Sequence, residues 1–310
     1  MIIEILLILA GLALVVFGSD YLVDGASAIA RKSGVSEFVI GVTIVGFGTS
    51  CPELVVSLTG AIQGSADISI GNVVGSNIMN TLLILGLTAV LAPIAVTKVN
   101  LRRDIPVLVG VTLFFVLLTL KGTLNWIDGV LFLLLFAGYM AICLKSGKEE
   151  VQDEPQEREI GMGLAILMVV GGLAALVFGG RLFVNHAVNF AKAVGVSEKF
   201  IAVTLLAGGT SMPELVTCIV AAAKKKGQLA LGNIIGSNIF NILLILGISS
   251  LVRPLSTAGM AWVDIAVLMA SALLVALSGY IGKHERINRL EGALMLAVEA
   301  GYLVWLIIAL

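Results

Sequence analysis

The sequence predicts an all-α polytopic membrane protein, with ten transmembrane helices in two inverted five-helix repeats. Three observations lead there. The 310 residues are 59% hydrophobic and only 13% charged, against roughly 45–50% and about 25% in soluble domains. Apolar stretches long enough to cross a bilayer, which takes about 20 residues, recur along the whole chain. The second set of stretches also repeats the first. A net charge of −1 leaves no electrostatic footprint for nucleic acid.

Taken in order, the predicted spans are 3–30, 37–63, 68–92, 104–120 and 126–144, then 161–191, 198–223, 228–252, 260–281 and 290–309. The first stretch carries Glu4 and no Lys or Arg before its apolar run, which is the wrong start for a secretory signal. It is expected to stay as a span. The second contains Pro52, and the third is rich in Gly, Ser and Asn. The fourth opens after Arg102 and Arg103, and the fifth ends at Lys145. Residues 145–160, with the run KEEVQDEPQERE, are too charged for lipid and too short for a domain. They are read as a hydrated linker between a first repeat, 1–144, and a second, 161–310.

Fourteen of the nineteen Lys and Arg residues fall in connections on one side of this arrangement, among them Arg31, Lys98, Arg158 and Lys224. Lys121, Lys192, Lys199 and Arg253 fall on the other. Positive charge stays on the cytoplasmic side. Both termini are therefore expected outside a cell membrane and the linker inside. A missed or surplus span would have mixed the two sets.

Residues 41–94 match 202–255 at a constant offset of 161, with 23 of 54 positions identical. Five spans per copy is an odd number, so the second copy must enter the membrane from the opposite face. Inverted repeats of this kind place binding near the midplane, where the copies meet.

The most faithfully repeated patches are polar. Gly48-Thr49-Ser50-Cys51-Pro52-Glu53 matches Gly209-Thr210-Ser211-Met212-Pro213-Glu214. Gly71-Asn72, Gly75-Ser76-Asn77 and Asn80 match Gly232-Asn233, Gly236-Ser237-Asn238 and Asn241. Pro52 and Pro213 lack an N–H, which leaves carbonyls at Gly48 and Gly209 without helical partners. Such carbonyls persist at membrane depth only where protein, water or an ion satisfies them. Glu53 lies four residues after Thr49, on the same helix face. Two copies facing each other would supply two carboxylates, hydroxyls, carbonyls and carboxamide oxygens. That inventory suits hard cations. Ca2+ takes about 6–8 oxygens, whereas Mg2+ resists dehydration and demands rigid octahedra. Single Gly, Ser or Asn residues often serve helix packing. A carboxylate in mid-span is costly and functional by default, and two at equivalent positions behind prolines outweigh the packing explanation.

Other features read as bland. Cys51, Cys143 and Cys218 show no metal spacing and behave as small apolar filler. Asp20 and Asp24, with their repeat equivalents Arg181 and Asn185, are expected to set helix ends, with a vestibule role as the minor alternative. Glu299 has no acidic counterpart and is expected to be a structural acid satisfied by a partner, with a proton relay as the minor alternative. His186 and His284 fall near span ends.

The paired G-T-S-x-P-E and G-N-x-x-G-S-N-x-x-N segments resemble the repeats of the calcium/cation antiporter superfamily, and within it the prokaryotic sodium/calcium exchangers of ten helices. The resemblance implies alternating access, with spans 1 and 6 sliding across a core of spans 2, 3, 7 and 8. It implies Glu53 and Glu214 as central ligands, with Thr49 and Thr210 giving carbonyls or hydroxyls. Ser50, Ser211, Ser76 and Ser237 would serve flanking sodium sites, helped by the carbonyls of Gly46 and Ala207. Asn80 and Asn241 would line the centre, where some relatives carry Asp in place of Asn241. The expected activity is Na+/Ca2+ antiport without covalent chemistry or a cofactor, the partners being the bilayer and the transported Ca2+ and Na+. The alternatives are Ca2+/H+ exchange through the same cage and, from another class, a passive cation channel. An enzyme is disfavoured, since the chain has no H-E-x-x-H site, P-loop or paired Ser–His constellation.

Overall fold

The computed structural model describes residues 1–146, 160–195, 208–281 and 286–309. It is helical almost throughout, as a chain must be when every backbone group has to be satisfied without water. Helix α1 (Ile2–Ser33) ends at Gly34, whose φ of 63° lets its N–H turn back to the Ala30 and Arg31 carbonyls. Helix α2 (Glu37–Thr49) is capped by the Ser36 hydroxyl, which accepts from the Val39 N–H at 3.4 Å. The chain breaks at Ser50 and resumes as α3 (Cys51–Gln63), bent by 49° from α2. Pro52 sits in the first turn of α3, where its missing N–H is harmless. Next come α4 (Ala66–Leu91), α5 (Ile105–Thr119) and α6 (Trp126–Ser146). Helices α7 (Met162–Ala193), α8 (Met212–Ala223), α9 (Gly227–Val252), α10 (Trp262–Ile281) and α11 (Arg289–Ala309) follow.

Helices α4 and α9 form the centre, with 72% and 83% of their most apolar windows buried, whereas α1 and α11 bury 22% and 17% and turn apolar side chains outward. Helices α1 and α7, each of 32 residues, run antiparallel along a seam of glycines. A Cβ on Gly18 would lie 2.9 Å from the Gly172 carbonyl, and one on Gly172 would lie 2.6 Å from that of Gly18. Small residues at this seam let the two backbones touch.

The two copies of the repeat interlock. Two-residue strands β1 (Ile94–Ala95) and β4 (Arg286–Ile287) pair antiparallel, as do β2 (Thr123–Leu124) and β3 (Leu255–Ser256). Each ladder therefore joins one copy to the other. Gly86 of α4 packs on the Gly292 carbonyl of α11, and its repeat equivalent, Gly247 of α9, packs on Gly129 of α6.

The chain is thus a multi-span helical membrane protein. Among the described residues, seven helices are long and apolar enough to cross a membrane, or eight when α2 and α3 count as one bent span. The sequence reading expected ten, and the two shortfalls have separate causes. Expected span 104–120 is a 15-residue helix prefaced by a π-turn, Asn100–Asp104, that carries Arg102, Arg103 and Asp104. For expected span 198–223, residues 198–207 lie outside the described residues, as do Ala207, His284 and most of the charged linker. The short ladders were not expected from sequence.

Candidate cation-binding site

The site forms where the break between α2 and α3 and the start of α8 meet α4 and α9. At Ser50 (φ −81°, ψ 4°) the backbone leaves α2 and α3 begins at the next residue, and Ser211 (φ −87°, ψ 7°) likewise stands immediately before the first residue of α8. This places Glu53 and Glu214 in the first turns of α3 and α8, ends that favour negative charge. Both glutamates are fully buried. Ser50 Oγ donates to Glu214 Oε1 at 3.1 Å, and Ser211 Oγ donates to Glu53 Oε1, also at 3.1 Å. Each carboxylate is thus held by the hydroxyl of the other copy. The second oxygen of each, Oε2, is buried without a hydrogen-bond partner.

Other oxygens are left in the same condition. Asn80 is fully buried with neither side-chain atom partnered, and Asn241 Oδ1 and Thr210 Oγ1 are also buried and unsatisfied. An unpaired buried polar atom costs about 1–3 kcal/mol, and more when charged. Buried oxygens without partners, two of them on carboxylates, suit a hard cation, which binds such oxygens.

The remaining predicted residues are packed more conventionally. Thr49 Oγ1 lies 3.0 Å from the Val45 carbonyl and 3.1 Å from Asn233 Oδ1. Ser237 Oγ donates to the Gly46 carbonyl at 3.4 Å, which also accepts from the Ser50 N–H at 3.1 Å. The Gly46 carbonyl, expected to help a flanking sodium site, thus accepts these two hydrogen bonds. Ser76 is buried, and Ala207 lies outside the described residues. Among the described residues no three His, Cys, Asp or Glu side chains cluster, so the formal charge at the centre comes from the two glutamates.

The bonds that join the repeated Asn residues were not expected from sequence. Asn77 Nδ2 donates to the Asn238 carbonyl at 3.1 Å, and Asn241 Nδ2 donates to Asn77 Oδ1 at 2.9 Å. Asn238 Nδ2 donates to Thr81 Oγ1 at 2.8 Å. These bonds knit α4 to α9. Both helices carry a π-turn here, Asn80–Leu85 and Phe240–Ile245, a distortion frequent at functional sites. Only the repeated Asn spacing hinted at this network.

A cavity of about 270 Å3 leads to the Thr210 side of the site, lined by Pro52, Val56, Arg181, Asn185, Thr210 and Pro213. Arg181 and Asn185 line this cavity from within α7 and not from its end. Asp20 and Asp24 instead pair with Lys224, each at 2.6 Å. Glu299 Oε2 is buried without a partner, contrary to the expected satisfied acid. His186 Nδ1 meets Glu4 Oε2 at 2.6 Å, tying α7 to α1.

Fold and site define a multi-span helical membrane protein with an oxygen-lined, doubly acidic centre where the starts of α3 and α8 meet. The chain belongs to the sodium/calcium exchanger protein family, matching it over residues 3–145 and 164–308. It is 41% identical to a putative antiporter, CaxA, of Alkalimonas amylolytica, over 97% of this chain and 98% of that one. It is 36% identical to the sodium/calcium exchanger MaX1 of Methanosarcina acetivorans, over 97% and 98%. Solved structures of the exchanger NCX_Mj, one soaked with Na+ and Ca2+, superpose with a TM-score of 0.86 at 37% identity over 98% of both chains.

Proposed function

We propose that the chain is a secondary active antiporter that exchanges Na+ for Ca2+ by alternating access. The observation that carries this is the reciprocal pair of hydroxyl–carboxylate bonds, each leaving a buried carboxylate oxygen without a partner. In this reading Glu53 and Glu214 bind the cation through those oxygens. Asn80, Asn241 and Thr210 complete the cage, with Thr49, Ser76 and Ser237 flanking it. Ser50 and Ser211 orient the acids. Ca2+ then binds at net zero charge, whereas three Na+ leave a net charge of one. Moving one charge across the membrane is worth about 2.3 kcal/mol per 100 mV, so the number of Na+ ions exchanged decides whether voltage drives transport.

The same reading assigns ten spans in two inverted five-helix repeats, 1–144 and 161–310, with both termini outside and the linker cytoplasmic. The offset of 161, the reciprocal ladders and the Lys and Arg asymmetry support it. Helices α1 and α7, which are longer than the bilayer requires, would slide as one body over the core.

Ion-replacement flux tests the assignment. In proteoliposomes an outward Na+ gradient should drive uptake of radioactive Ca2+, and K+ or H+ gradients should not. Uptake driven by a pH gradient alone would establish Ca2+/H+ exchange instead. Ca2+ flux indifferent to every counter-ion would establish a channel.

A further inference from the structure

The two faces of the molecule are closed differently. Glu37, at the start of α2, meets Lys226, just past the end of α8, at 3.1 Å. The start of α2 and the end of α8 therefore share one face. The C-terminal half of α1 lies on that face too, since Ser27 Oγ donates to Glu37 Oε1 at 2.6 Å. Because α7 runs antiparallel to α1, its Arg181 and Asn185 lie toward the opposite face, where they line the cavity.

The repeat makes the comparison residue by residue. At the offset of 161, Asp20 corresponds to Arg181, Ser19 to Gly180, Val23 to Val184, Asp24 to Asn185 and Lys224 to Gln63. Where α7 leaves a cavity beside α3, α1 closes against α8. Val23 is fully buried, and Ser19 Oγ lies 3.5 Å from Thr217 Oγ1, whereas Val184 lines the cavity. Across the closed face, Lys224 Nζ bridges Asp20 and Asp24, both at 2.6 Å, and also donates to the Asp20 carbonyl at 3.3 Å. Burial alone would lower the Lys224 ammonium, but its hydrogen bonds to Asp20 and Asp24 outweigh this and raise it above its ordinary value. It therefore stays charged at neutral pH.

We propose that Lys224, Asp20 and Asp24 form a one-sided ionic latch that holds α1 to α8 and biases the exchanger toward the state with the α7-side cavity open. Were α7 to close its own side, Arg181 would meet Gln63 and no ion pair would form. The latch is a bias and not a lock on transport, since partly exposed pairs are each weak. It rests on the alternating access proposed above.

Paired cysteine reporters test it. Val23→Cys and Val184→Cys, made singly, are treated in lipid nanodiscs with a water-soluble maleimide, with labelling of the parent chain subtracted. The ratio of their labelling rates follows the equilibrium between the two states. Lys224→Gln should raise the Val23→Cys to Val184→Cys ratio about three- to tenfold. Gln63→Glu, which offers Arg181 a partner on the other face, should raise it similarly while leaving Lys224 intact. Lys225→Gln should leave the ratio unchanged. A ratio that both Lys224→Gln and Gln63→Glu leave at the parental value overturns the latch while alternating access stands. If Val23→Cys never labels under any Na+ or Ca2+ condition, alternating access itself fails, and the latch with it.

Discussion

Replacing Glu53 by Gln keeps the side chain's shape and removes one of the two charges at the centre. Glu53 is fully buried, so solvent ions do not screen it. At an effective dielectric of about 20, a unit charge pair about 4 Å apart is worth about 4 kcal/mol. The lost attraction is then roughly 8 kcal/mol for Ca2+ and roughly 4 kcal/mol for Na+. The repulsion between Glu53 and Glu214 is present with and without the cation, so its relief eases folding and leaves the affinity difference unchanged. By this estimate Na+ at the centre loses about a thousandfold in affinity, and Ca2+, with twice the charge, loses more than that. Folding should survive, because a neutral amide is easier to bury than a carboxylate and Ser211 Oγ, 3.1 Å from Glu53 Oε1, can bond either. Two assays read this. Na+-driven uptake of radioactive Ca2+ into proteoliposomes should fall by at least a hundredfold, and Ca2+ should no longer raise the thermal midpoint in detergent, as it should for the parent. Ca2+ exchange within about threefold of the parent at the same apparent affinity would refute the charge assignment.

Glu214→Gln should behave as Glu53→Gln does, since the two acids are held reciprocally; unequal losses in flux would show that one acid dominates. Ser50→Ala and Ser211→Ala each remove a hydrogen bond to a charged acceptor, worth about 1.5–3 kcal/mol, so apparent Ca2+ affinity should fall at least tenfold in each by the same flux assay. Gly172→Ala forces a Cβ to within 2.6 Å of the Gly18 carbonyl and should cost roughly 1–3 kcal/mol, seen as a lower thermal midpoint. Its neighbour Gly171, where a Cβ meets nothing within 4 Å, serves as the comparison and should tolerate Ala. Asn77→Ala breaks the bonds to Asn238 and Asn241 and should cost roughly 1–3 kcal/mol by the same measurement.

What the sequence disclosed, it disclosed through constraints that act locally. Expected span 3–30 is α1 (Ile2–Ser33) and expected span 161–191 is α7 (Met162–Ala193), because lipid demands long apolar runs. Glu53 and Glu214 stood out because an acid at that depth needs a reason. The Ser50 and Ser211 hydroxyls reach across to the opposite acid, and the Asn77–Asn238–Asn241 bonds cross between helices. Such pairings depend on three-dimensional register, which no single segment encodes. The π-turns at Asn80–Leu85 and Phe240–Ile245 left no signal in the apolar pattern of the sequence. The bond from Ser237 Oγ to the Gly46 carbonyl likewise joins the two copies.

The glycine seam has a consequence for thermodynamic efficiency. Backbone contact at Gly18 and Gly172, with further close approaches at Gly11, Gly25 and Gly179, welds α1 to α7 over most of their length. In the proposed exchange cycle, a plank of two fused helices cannot uncover both aqueous compartments at once. Whatever exposes the ions to one solution must seal them from the other. Mutual exclusion of this kind keeps a steep ion gradient from leaking away between turnovers.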